Sequence, residues 1–198
     1  DKMVMQAAGE QITAPNAAVN MNKLLQISCG AVYTDDGEAL EFDIKHRYKV
    51  LKEVIDESSK KVLIFVPFKH VINMLVDKLS VDGITSEIIR GDVSAPKRTE
   101  IFNRFQTMDD PKVLVIQPQA AAHGVTLTAA NTVVWWGPTS SLETYLQANA
   151  RVHRAGQDHK CTVVQLQSSD VEKRIYSLLD NRINIHTRII DLYKDLLD

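Results

Sequence analysis

Arg151 and Arg154 stand three residues apart in the stretch Q-A-N-A-R-V-H-R-A-G-Q, residues 147–157. On a helix that spacing projects both side chains from one face. Leu142, Tyr145 and Leu146 precede them at helical spacing, and Gly156 reads as a stop signal. Gln147 lies four residues before the first arginine and Gln157 three after the second. Two guanidiniums held side by side suit a triphosphate or a nucleic-acid backbone, because each presents a rigid fork of donors with permanent charge. The plainer reading is a surface helix with two solvated arginines, so the surrounding pattern has to decide.

That pattern is an alternation of helices and buried strands between residues 43 and 166. Tyr48, Leu51, Val54 and Ile55 form one amphipathic stripe; Val71, Ile72, Leu75, Val76 and Leu79 form a second. The apolar run at 62–66 is of the kind covered on both faces in parallel sheets. A weaker strand is expected near 85–90, and three more at 113–116, 133–136 and 163–166. Ser94 is placed to cap a helix carrying Ile101, Phe102 and Phe105. Strands alternating with helices imply right-handed crossovers and an α/β, doubly wound parallel sheet of about five strands. In such sheets ligands sit outside the carboxyl ends of the strands.

The loops expected there hold unusual residues. Pro67-Phe68-Lys69-His70 follows the first strand, and Arg90-Gly91-Asp92-Val93-Ser94 the second, with Lys97 and Arg98 in the next helix's first turns. A helix N-terminus with free amides and a hydroxyl is a natural phosphate site, so Ser94 reads either as a cap alone or as a cap touching a DNA phosphate. The third loop, Q-P-Q-A-A-A-H-G-V-T-L-T-A-A-N at 117–131, places Gly124 where a backbone could approach a ligand closely. A small-residue turn packing a helix onto the sheet is the other reading. His123 and His153 lack zinc spacing and read as packed or hydrogen-bonded side chains.

Before residue 43, Pro15 and Asn16 can start a helix bearing Val19, Leu24, Leu25 and Ile27, which Gly30 ends. Residues 34–38, T-D-D-G-E, form a polar turn or hairpin tip. After the last strand, Val171, Ile175, Leu178, Leu179, Ile183 and Ile189 trace a long amphipathic helix. The organisation expected is a lead-in at 1–42, a lobe at 43–168 and a helical brace at 169–198.

With 198 residues, 44% hydrophobic and 24% charged, the chain has the composition of one globular domain with an appendage. Its net charge of −2 gives no global case for nucleic-acid binding, which must come from a local patch or backbone amides. Cys29 and Cys161, far apart and without metal-ligand spacing, fit a reduced compartment. No apolar run reaches membrane length and no signal peptide is visible, so a cytoplasmic or nuclear protein is expected, with no membrane partner. The chain opens at Asp1, which reads as part of something longer.

Taken together, Q-A-x-x-R-x-H-R-x-G-Q resembles motif VI of the SWI/SNF-type branch of superfamily 2 helicases and translocases. Gln157 points to that branch, since DEAD-box RNA helicases more often end the motif with a second basic residue. Ala150 stands where many relatives carry Gly or Asp. The segment N-K-L-L-Q-I-S-C-G resembles the approach to the second helicase lobe, P-F-K-H resembles motif IV, and 117–131 resembles motif V. In motif V, Gly124, Leu127 and Thr128 match, whereas Ala121 and Ala122 replace glycines and Thr126 replaces Asn.

The resemblance covers about residues 20–166. It implies a RecA-like C-terminal lobe that completes an ATP site, with Arg151 and Arg154 reaching the γ-phosphate and Arg154 acting as arginine finger. Gln147 and Gly124 would couple nucleotide state to lobe closure. Lys69, Ser94, Arg98, Thr126 and Thr128 would contact DNA, mainly at phosphates. No G-x-x-x-x-G-K-[ST] occurs, and the one D-E pair, Asp56-Glu57, ends a helix and reads as surface. ATP and Mg²⁺ are therefore expected on an N-terminal lobe outside this sequence, the chain alone being inactive. An RNA helicase lobe or an inert DNA- or protein-binding scaffold is the alternative; an ordinary doubly wound enzyme lacks its dinucleotide fingerprint.

Overall fold

The computed structural model describes residues 3–7, 10–14, 17–122 and 124–182. At its centre five parallel strands run in the order β6-β7-β5-β8-β9: β5 (Lys61–Phe65), β6 (Ser86–Ile89), β7 (Val113–Ile116), β8 (Ala130–Trp135) and β9 (Thr162–Gln165). All five fall where the apolar runs place them, within three residues. β5 is the middle strand, and Val62, Leu63, Ile64 and Phe65 are wholly buried because helices cover both faces. Each such side chain contributes about 1.5–3 kcal/mol relative to exposure.

Helices α2 (Lys45–Glu57) and α3 (Lys69–Val81) pack with Val62, Ile64 and Val66 on one face. Helices α4 (Ala95–Thr107), α5 (Leu142–Asn149) and α6 (Asp170–Asp180) pack with Leu63 and Phe65 on the other. The connection from β5 to β6 steps one way along the sheet through α3. Those from β6 to β7 and from β8 to β9 step the opposite way through α4 and α5, on the opposite face. Right-handed crossovers demand this alternation, because reversing direction moves the crossover to the other face.

The lead-in contains more strand than the sequence suggests. β1 (Met3–Ala7) and β2 (Glu10–Ala14) pair antiparallel ahead of α1 (Ala17–Cys29), and β3 (Ala31–Tyr33) pairs with β4 (Ala39–Glu41) across the expected polar turn. Pro15 and Asn16 lie outside the described residues, as do Ile183 and Ile189 of the expected C-terminal stripe.

The lead-in and α6 meet the sheet through a buried polar network that the sequence did not announce. The Arg47 guanidinium donates to both Glu172 carboxylate oxygens at 2.7 and 2.6 Å, to Ser168 Oγ, and to the Trp136 carbonyl. It also lies 5.5 Å from the Trp136 ring centre. Glu172 accepts from the Ser168 amide, Ser28 Oγ donates to Ser169 Oγ, and the Trp136 indole donates to the Cys29 carbonyl. Burial pushes the Cys29 thiol up to about 12, so it stays protonated and serves as packing.

Gly137 makes that packing possible, since a Cβ there would fall well inside contact with Cys29 Sγ. Gly137→Ala is expected to lose about 1–3 kcal/mol through overpacking, read as a lower denaturation midpoint at an unchanged m-value. An unchanged midpoint would show that α1 can move aside.

Candidate functional site

The arginines do not share a helix face. α5 ends at Asn149, with Ala150 as its C-cap, two residues before Arg151. Its last hydrogen bonds tighten: the Arg151 amide donates to the Ala148 carbonyl and the Val152 amide to that of Asn149. The Asn149 side chain is meanwhile taken by the Trp135 indole at 2.9 Å, and the Arg151 carbonyl by the Leu127 amide at 2.9 Å. These anchors to the sheet and the preceding crossover compete with another helical turn. Gly156, expected as a helix stop, instead sits in the following turn at φ 91°.

What helical phase was expected to do, the crossover does. Arg154 donates to the Gly124 carbonyl at 3.2 Å and to Thr126 Oγ1 at 3.3 Å, and its side chain is exposed. Gly124 holds φ +53°, a left-handed conformation that favours glycine there. Arg151 is buried; burial, and then the neighbouring Arg154 charge, pull its guanidinium below the usual value. Two like charges are thus held close together, with Arg154's own hydrogen bonds directed at uncharged oxygens.

Gln157 fixes this turn. Its Nε2 donates to the carbonyls of Ala130 at 2.8 Å and of Thr128 and Val152 at 3.3 Å, while its Oε1 accepts from the His159 amide. The sequence marked Gln157 as a family signature and gave it no structural work. Gln147 is half-buried and donates to Glu143 on its own helix at 2.9 Å. Thr128 Oγ1 accepts from Gln106.

The remaining candidates form a second group. Lys69 opens α3, and its Nζ lies 3.8 Å from Asp92, which also accepts from Arg90. Ser94 occupies the N-cap position of α4, but its hydroxyl makes no capping hydrogen bond, contrary to the cap expected for it. Arg98 donates to the carbonyls of Arg90 and Gly91, tying α4 to the loop before it, and Lys97 pairs with Glu100. The Gly91 amide reaches Gln117 after β7.

This second group sits at the carboxyl ends of β5, β6 and β7, where ligands were expected. The arginine group lies instead beside the start of β8, as the contacts of Gln157 to Ala130 and of Arg151 to Leu127 fix. Thr126 and Thr128, grouped with the DNA contacts in the sequence, belong with the arginines. His153 is exposed, Asp56 and Glu57 are exposed at the end of α2, and His123 lies outside the described residues. Among the described residues no three His, Cys, Asp or Glu side chains converge as a metal site, and no helix is long and apolar enough to cross a membrane.

A five-stranded parallel sheet in this order, with helices on both faces, defines a RecA-like lobe. The helicase conserved C-terminal domain matches residues 46–156, and the chain belongs to that family, in its SWI/SNF-type branch. It is 28% identical over 149 residues to the CHD3-type chromatin-remodeling factor CHR7 of Arabidopsis thaliana, covering 73% of this chain and 12% of that protein. It is 27% identical over 142 residues to the ATP-dependent helicase FUN30 of Saccharomyces cerevisiae, covering 71% and 13%. The crystal structure of the C-terminal part of the Fun30 ATPase domain superposes with a TM-score of 0.68 at 24% identity, covering 80% of this chain and 53% of that one. The chain spans about an eighth of the length of the curated relatives it matches.

Proposed function

We propose that this chain is the second lobe of an ATP-dependent DNA translocase and supplies cationic charge to an ATP held by a preceding lobe. The observation that carries the reading is the Arg154 guanidinium, exposed and steadied by the Gly124 carbonyl and Thr126 hydroxyl, beside a second arginine. Two adjacent positive charges repel, and an anion relieves that repulsion. Arg154 would stabilise the transferring γ-phosphoryl as arginine finger, with Arg151 behind it. The charge that develops on the equatorial oxygens is what such a donor neutralises. Mg²⁺ and most phosphate contacts would come from the other lobe, the ion adding positive charge against the phosphates.

Gly124 and Gln147 flank the arginines and would relay nucleotide state to lobe closure. Lys69, Ser94 and Arg98, at the starts of α3 and α4 beyond the carboxyl ends of β5 and β6, would meet DNA phosphates, the Ser94 hydroxyl, which makes no capping bond, being available for one. Thr126 and Thr128, whose hydroxyls accept from Arg154 and Gln106, lie with the arginine group, and any DNA contact they make would be separate from that of Lys69, Ser94 and Arg98. Residues 1–42 then act as a lead-in, 43–168 as the lobe and 169–198 as a brace, a division supported by the buried Arg47–Glu172 junction. The named chromatin remodelers among its relatives favour a nuclear setting.

The test is ATP hydrolysis by the protein with both lobes present, measured with duplex DNA, with RNA and without nucleic acid. Stimulation by duplex DNA is expected. Stimulation by RNA alone would move the assignment to an RNA helicase, and no hydrolysis under any condition would leave an inert scaffold.

A further inference from the structure

Gln157 makes four side-chain hydrogen bonds within the arginine turn and to the backbone beside it, and their geometry defines what that position requires. Three carbonyls surround Nε2 while one amide faces Oε1, so the carboxamide orientation is settled by its partners. Two of the carbonyls, those of Thr128 and Ala130, belong to the backbone leading into β8; the third, of Val152, belongs to the turn itself. The backbone on the β8 side is independently fixed, because the Ala129 amide donates to Gln106 Oε1 at 2.9 Å. The turn closes through the Arg154 amide on the Val152 carbonyl and the Gln157 amide on the Arg154 carbonyl, both at 3.1 Å. The Gln157 amide group therefore ties the C-terminal side of this turn to the backbone entering β8, as the Leu127 amide on the Arg151 carbonyl ties its N-terminal side.

We infer that Gln157 is a positioning residue for Arg154, a donor clamp that holds the guanidinium's backbone in register with the crossover. The inference rests on the reading of Arg154 as the charge that reaches the nucleotide. An isosteric acceptor in place of the amide would face three carbonyls with a carboxylate and open the turn. Since a displacement of about 1 Å in a catalytic group costs on the order of 10²-fold in rate, the loss should fall on turnover and not on ATP affinity.

The experiment is a double-mutant cycle in the full-length protein with saturating DNA. Gln157→Glu is expected to lower kcat by about 10²-fold with KM for ATP unchanged. Gln157→Lys, which keeps a donor, is expected to recover most of the loss. In an Arg154→Ala background, Gln157→Glu should have no further effect, because the residue it positions is gone. Wild-type kcat in Gln157→Glu, or the same fold-loss with and without Arg154, would overturn the inference. If Arg154→Ala itself turned over normally, the nucleotide reading would fall. The clamp would then be judged by amide hydrogen exchange over residues 150–157, which must quicken in Gln157→Glu and would sink the inference if unchanged.

Discussion

Replacing Arg154 with alanine is expected to lower DNA-stimulated ATP turnover by about 10³–10⁵-fold, the range over which an arginine finger acts. The fold should survive, because Arg154 is exposed and, among the described residues, its side chain bonds the Gly124 carbonyl and the Thr126 hydroxyl. Arg154→Lys should rescue little. One ammonium keeps the charge, but it lacks the planar fork that can hold the crossover with one nitrogen and present others outward. Arg151→Ala should differ in kind: Arg151 is buried, so its loss should lower both stability and turnover. Single-turnover hydrolysis at saturating ATP, with thermal denaturation alongside, separates these cases. Turnover in Arg154→Ala within a few-fold of wild type would remove the finger role.

The largest effect on stability is expected at the other end of the sheet. Glu172→Ala leaves the Arg47 guanidinium buried without its carboxylate, and breaking such a pair costs about 3–5 kcal/mol. Arg47→Ala should cost a similar amount by stranding Glu172. The double replacement by apolar side chains, Arg47→Met with Glu172→Leu, should be much less harmful than either single change. Desolvating two charges offsets most of what their attraction returns. Denaturant unfolding of the three variants checks this; single variants that unfold like wild type would mean that water reaches the pair. The pair joins α2 to α6, and its serines reach α1, so its loss should also loosen the lead-in.

The sheet was legible because its strands are short apolar runs between amphipathic stripes. Burial on both faces leaves no room for polar alternation, and one-dimensional patterns record that directly. β1 and β2 were missed because the apolar run Met3-Val4-Met5 is too short to distinguish strand from helix and Glu10–Ala14 opens on two polar residues without a clear alternation. Ser94 was correctly placed at a helix start, yet whether its hydroxyl turns inward to cap is a rotamer choice that sequence does not encode.

At the candidate site the division is sharper. Residue type and spacing singled out Arg151, Arg154 and Gly124, since few residues offer permanent charge or close backbone approach, whereas Gln157 entered only as a mark of family resemblance. Spacing misjudged how they meet. Helical phase was taken to align the arginines, whereas α5 stops at Asn149 and the crossover from β7 to β8 holds Arg154. Which end of the sheet carries that cluster, and that Arg47 would find Glu172 125 residues away, depend on chain segments brought together only by packing. Local sequence sets periodicity and capping; long-range hydrogen bonds and burial decide which local preferences prevail.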